Sequence, residues 1–258
     1  MNLDELIFKK DEKPLDNIVL DGGYARVFRT IGCIGDSLSS GEYESKDDEG
    51  NPGYHDYYEY SWGQYIARNA GIKVYNFSRG GMTAKWFMES FAESCGVWSE
   101  EKKCQAYIIA LGVNDIRQMD MGSVGDIDTE DYKNNKPTFA GYYGQIISRI
   151  KLLQPDAKIF LVTMPKGDRE TVEPFSKLIC EIAKAFSNTY AIELNKYSPD
   201  YSEPRFRKSF FCGGHMNAAG YILTAQMITS YIDYIVRHNF EDFSEVGFIG
   251  TPFSFKKK

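Results

Sequence analysis

The sequence predicts an α/β fold, a parallel sheet covered by helices on both faces in the doubly wound layer arrangement. Three observations predict it. Short apolar runs recur at 28–34, 72–77, 106–111, 158–163 and 190–194. Segments with apolar residues at helical spacing separate them, so strand and helix alternate along the chain. With 258 residues, 43% of them hydrophobic, the chain has enough apolar side chain to fill the two cores of one large domain.

Each element has a local reason. Residues 28–34 (FRTIGCI) form an apolar run that stops at Gly35, as a buried strand does. Residues 39–58 combine glycine, charge and tyrosine, and read as an irregular loop. A helix over 59–69 precedes the strand at 72–77. Helical spacing resumes over 83–95 through Trp86, Phe87 and Phe91, with Thr83 as candidate N-cap. Residues 106–111 (AYIIAL) are the most strand-like run in the chain.

The polar stretch 117–137 is long enough to be a lid or binding loop. Helix 138–153 sets Tyr142, Tyr143, Ile146, Ile147, Ile150 and Leu153 on one face, and Pro155 ends it. The strand 158–163 (KIFLVT), a helix over 171–187, the strand 190–194 and a long helix over 217–238 complete the pattern. The chain thus divides into an N-terminal extension (1–27), an α/β unit (28–238) and a C-terminal tail (239–258). Five phenylalanines in that tail predict packing across the domain or a partner chain, since exposed phenylalanine is costly.

Composition removes several functions. Lys plus Arg is 30 and Asp plus Glu is 36, a net charge of −6, which argues against a nucleic-acid partner. The one basic cluster, Lys256-Lys257-Lys258, is terminal and reads as a solvated tail. No run approaches the roughly 20 apolar residues of a membrane span. The first residues lack the basic and apolar regions of a secretory leader, so a cytoplasmic location is expected. Five cysteines, an odd number without C-x-x-C spacing, predict reduced side chains rather than a disulfide framework. Cys212 and His215 have C-x-x-H spacing but no second pair, so neither a metal nor a cofactor is expected. Oligomeric state is not legible.

In an open α/β sheet, ligands bind beyond the carboxyl ends of the strands. Those ends carry Gly35-Asp36-Ser37, Arg79-Gly80-Gly81 and Asn114-Asp115, and His215 stands just before the last helix. Serine, glycine, asparagine and histidine are the parts for acyl transfer. Ser37 is the candidate nucleophile, and a serine hydroxyl needs an adjacent base at neutral pH. His215 is the best base, because His55 lies in the charged loop and His238 at a helix end. Backbone N–H groups of Ser37 and Gly81 and the Asn114 amide are candidate oxyanion donors. Arg79, Trp86 and the tyrosines at 43, 54, 57, 58 and 60 are candidate substrate contacts.

GDSLSSG at 35–41, NFSRGGMT at 76–83, GVND at 112–115 and GGHMNAAGY at 213–221 resemble, in order, four blocks of the SGNH (GDSL-type) hydrolases. The resemblance spans roughly residues 28–238. It implies a three-layer α/β/α flavodoxin-like fold of about five parallel strands and metal-free ester hydrolysis. It places the family's nucleophile at Ser37, its oxyanion glycine at Gly81, its asparagine at Asn114 and its base at His215. The family's acid sits three residues before the histidine, where this chain has Cys212. A neutral thiol cannot stabilise an imidazolium, and loss of the acid costs about 10⁴ in rate in the protease template. A carboxylate from Asp200 or Glu203, or a main-chain carbonyl in a Ser–His dyad, is the expected substitute. The expected activity is hydrolysis of acyl esters, with short acyl groups on carbohydrates favoured by the polar, tyrosine-rich loops. A non-catalytic binding module on the same fold and an acyltransferase are the alternatives.

Overall fold

The computed structural model of the protein describes residues 6–167 and 169–255. The leader reading at 1–5 and the three terminal lysines lie outside them. Five strands, β1 (Thr30–Gly35), β4 (Lys73–Ser78), β5 (Ala106–Ala110), β6 (Lys158–Val162) and β7 (Thr189–Ile192), pair in the order β4-β1-β5-β6-β7. All four pairings are parallel. This is the flavodoxin-like winding, with the direction of travel reversing between β1 and β5.

Strand alternation builds the two cores. Along β5, Tyr107 and Ile109 face one helical layer while Ala106 and Ile108 face the other. The first layer contains α3 (Ala84–Trp86, continued by a π turn at Phe87–Phe91 into Ala92–Cys95), α4 (Phe139–Leu153) and α5 (Arg169–Ala185). The second contains α2 (Trp62–Ala70) and α8 (Ala218–His238). Caps fix where the helices begin. Side chains of Ser61, Thr83, Thr138 and Asn217 each accept a first-turn N–H, the job expected of Thr83.

The expected irregular loop at 39–58 is instead an ordered hairpin, β2 (Glu42–Lys46) against β3 (Pro52–Asp56), following the short helix α1 (Ser37–Ser40). Its turn is closed by Asp47, whose side chain accepts the Asn51 N–H, and by Gly50 at φ +85°. Most of β3 is exposed, so the hairpin carries no apolar alternation to read. Four further small elements lie before α8: α6 (Leu194–Tyr197), α7 (Pro204–Phe210) and the two-residue strands β8 (Phe211–Cys212) and β9 (His215–Met216). The stretch 117–137 has only single 3₁₀ turns, at Val124–Asp126 and Tyr132–Asn134.

Segments before β1 and after α8 pack on this frame. In the tail Phe243 is buried and stacks on Phe160, and Val246 and Ile249 join the same core. Phe253 and Phe255 are exposed, so only the first part of the tail packs as expected. On the N-terminal side, Tyr24 N–H donates to Asp233 Oδ1, and Arg237 pairs with Asp233 and with both oxygens of Glu12. Arg237→Ala would leave two carboxylates without their cation in a buried setting, and breaking such a cluster typically costs about 3–5 kcal/mol. Urea denaturation of this variant is expected to show a loss near the lower figure, since Asp233 keeps the Tyr24 bond.

Candidate active site

The winding brings the ends of β1, β4 and β5 to one rim. Asp36 leaves β1 and caps α1, its Oδ1 accepting the Leu38 N–H at 3.0 Å. Ser37 is therefore the first residue of a one-turn helix. Its N–H has no acceptor among the described residues, as expected of a first-turn donor. The Ser37 carbonyl accepts from Gly41 N–H and, at 3.5 Å, from the hydroxyl of Tyr221 on α8.

After β4 the chain passes through Gly81 at φ +71°, a left-handed conformation that a side chain would strain. A Cβ at Gly81 would meet nothing within 4 Å, so its backbone borders open space. This loop is gripped from β5: Asn114 Nδ2 donates to the Met82 carbonyl at 3.1 Å, and Asp115 Oδ1 accepts the Ala84 N–H at 2.9 Å. The Asn114 amide nitrogen carries a second proton for a ligand. Arg79 lies over the Trp86 ring, 5.5 Å from its centroid, and both are exposed. Tyr54, Tyr57, Tyr58 and Tyr60 are exposed as well, whereas Tyr43 turns inward and packs on Tyr57, Tyr60 and Tyr221.

His215 opens β9, and β9 lies against α1 and β2. Its ring stands between two carboxylates of β2. Nε2 is 2.9 Å from Glu42 Oε1, and Nδ1 is 3.6 Å from Glu44 Oε2, with the ring edge-on to Tyr54. The second Glu42 oxygen lies against Gly80, where an added Cβ would be 2.1 Å from it. Glu42 thus spans from the Gly80–Gly81 loop to the histidine, and no hydrogen bond joins Ser37 to His215 in this state. The Tyr221 hydroxyl donates to the Glu42 carbonyl at 2.6 Å, which ties the hairpin to α8.

The acids named from sequence do not meet the ring. Asp200 accepts from the N–H and hydroxyl of Ser202, and Glu203 stands at the N-terminus of α7. Cys212 is exposed and faces His215 only through the backbone pairing of β8 and β9. Glu42 and Glu44 escape sequence reading because they sit in a segment that looks like loop. The Glu-Tyr-Glu alternation at 42–44, with one polar face and a tyrosine between, is the signal that could have found them.

Burial sets the charge of the deeper acids. It pushes the Asp36 carboxyl up to about 7 and that of Asp115 up to about 6, each from an ordinary 3.8. Burial also raises Glu42, against the opposing pull of His215, while the Gly214 N–H lowers Glu44. Of these acids Asp36 alone borders an apolar cavity of about 280 Å³, lined also by Leu38, Leu111, Met164, Met216 and Ile228. Among the described residues no group of three or more His, Cys, Asp or Glu could hold a metal ion, and no helix is long and apolar enough to cross a membrane. An acid raised by folding stays neutral in the native protein while the unfolded chain ionises, so stability falls as pH climbs from about 4 through that raised value. Asp115→Asn, which removes the ionisation, is therefore expected to raise the urea midpoint more at pH 8 than at pH 4.5.

Comparison with known proteins bears on the family and the fold. The profile of the GDSL-like Lipase/Acylhydrolase family matches residues 33–223. Among solved structures, a family two carbohydrate esterase from Clostridium thermocellum in complex with cellohexaose superposes with a TM-score of 0.57 at 17% identity. That match covers 83% of this chain and 65% of the esterase. A possible lipase from Chitinophaga pinensis gives 0.52 at 20% identity, covering 81% and 98%. A Corynascus carbohydrate esterase family 2 enzyme with a carbohydrate-binding domain gives 0.56 at 15%, covering 81% and 66%. At these identities the structural likeness is one of fold. No curated protein matches by sequence. With a family profile matching from β1 into α8, the chain belongs to the GDSL-like lipase/acylhydrolase family.

Proposed function

We propose that the protein is a serine esterase that cleaves acyl esters through an acyl-enzyme on Ser37, with His215 as general base. The observation that carries this reading is the convergence of Ser37, Gly81, Asn114 and the His215 strand on one rim of a GDSL-family fold. The Ser37 hydroxyl gives its proton to His215 Nε2 as Oγ bonds to the acyl carbon. The tetrahedral oxyanion takes the N–H groups of Ser37 and Gly81 and the second Asn114 N–H. His215 then protonates the departing alcohol oxygen as the ester C–O bond breaks. Water repeats the sequence in reverse sense, losing its proton to Nε2 and releasing the acid while Ser37 regains its proton. Glu42 holds Nε2 at rest and yields it when an ester fills the space beside Gly81, consistent with catalytic hydrogen bonds that tighten only on binding.

The substrate has two ends. On the acyl side, the 280 Å³ apolar cavity is nearly twice the roughly 150 Å³ that encloses a benzene ring, so it accommodates a chain longer than acetyl. On the alcohol side, exposed Trp86, Tyr54 and Tyr58 offer flat apolar faces that suit a sugar ring. The carbohydrate esterases that share the fold support the same choice. An acylated carbohydrate, cleaved by hydrolysis, is the substrate class we favour.

Fluorophosphonate labelling with mass mapping is expected to place the adduct on Ser37 and to fail in Ser37→Ala. Turnover of p-nitrophenyl butyrate should fall by at least about 10³ in Ser37→Ala and His215→Ala, and by about 10² to 10³ in Asn114→Ala. Full activity in Ser37→Ala sinks the proposal, and glycan binding without labelling points to a binding module. Product analysis with a sugar acceptor separates a transferase from a hydrolase. Across a p-nitrophenyl ester series, kcat/KM is expected to peak at chains of about four to eight carbons, as the cavity size implies. A maximum at acetate would place the acyl group outside the cavity.

A further inference from the structure

We propose that Glu44 is the positioning acid for His215, supplied by the β2–β3 hairpin in place of the carboxylate that the family carries three residues before the histidine. This deepens the esterase reading and rests on it.

Three observations converge on Glu44. First, the family's position is Cys212, which pairs with His215 across β8–β9 but whose exposed thiol makes no hydrogen bond to the ring. Second, the β8–β9 turn is shaped around the Glu44 carboxylate. Gly214 N–H donates to Glu44 Oε2 at 2.5 Å, and Gly213 sits at φ +67°. A Cβ on Gly213 would come within 2.2 Å of Glu44 Oε1, so the turn leaves room for that carboxylate only by having no side chain there. Arg207 holds the same turn from the other side, donating to the Gly213 carbonyl at 2.7 Å. Third, His215 Nδ1 is buried and has no hydrogen-bond partner, while Glu44 Oε2 is the acceptor standing 3.6 Å from it. A shift of under an ångström makes that contact a hydrogen bond.

Chemistry then assigns the roles of the two carboxylates. An acid on Nδ1–H fixes the tautomer that leaves Nε2 able to receive a proton, and it stabilises the imidazolium once the proton arrives. Glu44 is suited to that task, because the Gly214 N–H and the ring both hold it below the ordinary carboxylate range and so keep it charged. Glu42 lies on the opposite nitrogen, the one that must face the serine, and cannot do the same job. The hairpin that delivers Glu44 is anchored independently of the histidine through the Tyr221 hydroxyl on the Glu42 carbonyl and through Ser40 to Asp56.

The test compares the full-length wild type with Glu44→Gln, Glu44→Gln/Cys212→Asp and Ser37→Ala. Gln keeps an acceptor for the Gly214 N–H, so the turn is retained while the charge is lost. For p-nitrophenyl butyrate, Glu44→Gln is expected to lower kcat by about 10² to 10⁴ with KM within about threefold. Adding Cys212→Asp, which restores an acid at the family's position, is expected to recover at least tenfold of kcat, a rescue that a merely structural role for Glu44 would not produce. The low-field imidazole Nδ1–H proton resonance of His215 should be present in wild type and lost in Glu44→Gln. Should the Gln variant fail to fold, Glu44→Asp, one methylene shorter, is expected to lose kcat at unchanged KM.

A wild-type kcat in Glu44→Gln alongside an inactive Ser37→Ala overturns the role of Glu44 and leaves the esterase standing. If Ser37→Ala is as active as wild type, the esterase reading fails, and the proton resonance still decides whether Glu44 holds Nδ1. An unchanged resonance in Glu44→Gln overturns the proposal in either case.

Discussion

The site depends on one constraint, the reversal of winding between β1 and β5. Parallel strands with right-handed crossovers place successive helices on one face until the order turns back on itself. At that point the connections leaving adjacent strands part to opposite faces and leave a crevice. Ser37 stands on one lip of it and Asn114 on the other, with Gly81 arriving from the neighbouring strand β4. None of these residues touches the others in sequence. Their meeting is a property of strand order, and strand order is held by cores on both faces of the sheet.

Polar groups at the crevice are fixed by a few bonds that each serve the fold as well as the site. Asn114 and Asp115 tie the Gly81 loop to β5, so a donor for a ligand is also a strut. Asp36 caps the turn that presents Ser37. Burial keeps Asp36 and Asp115 largely uncharged when the pH is acidic, and ionising them at higher pH opposes folding. Such acids exchange stability for geometry, a trade expected beside a functional centre rather than in an ordinary core.

The hairpin at 42–56 is the element that carries acids to the histidine, where position 212 has a thiol. It brings two carboxylates to His215 and shapes the glycine turn that precedes that histidine. An acid on a separate hairpin depends on that hairpin staying docked, so Tyr221, through its hydroxyl on the Glu42 carbonyl, and Tyr43, through ring packing, gain a positional role.

Much of this was legible in the amino-acid order alone. Apolar periodicity located the five strands and the long helices to within a few residues, because burial on two faces leaves a strong mark on composition. The candidates Ser37, Gly81, Asn114 and His215 came from polar residues at strand ends together with the resemblance of their motifs to the family's blocks. The hairpin, the fate of Asp200 and Glu203, and the partners of His215 were decided by tertiary structure. A solvent-facing hairpin has no hydrophobic period to read, and the Glu44 carboxylate, 171 residues away along the chain, meets His215 only when the fold closes. Sequence therefore determined which side chains are available for chemistry, whereas the packing of β2 against the β8–β9 turn decided which carboxylates stand beside the ring.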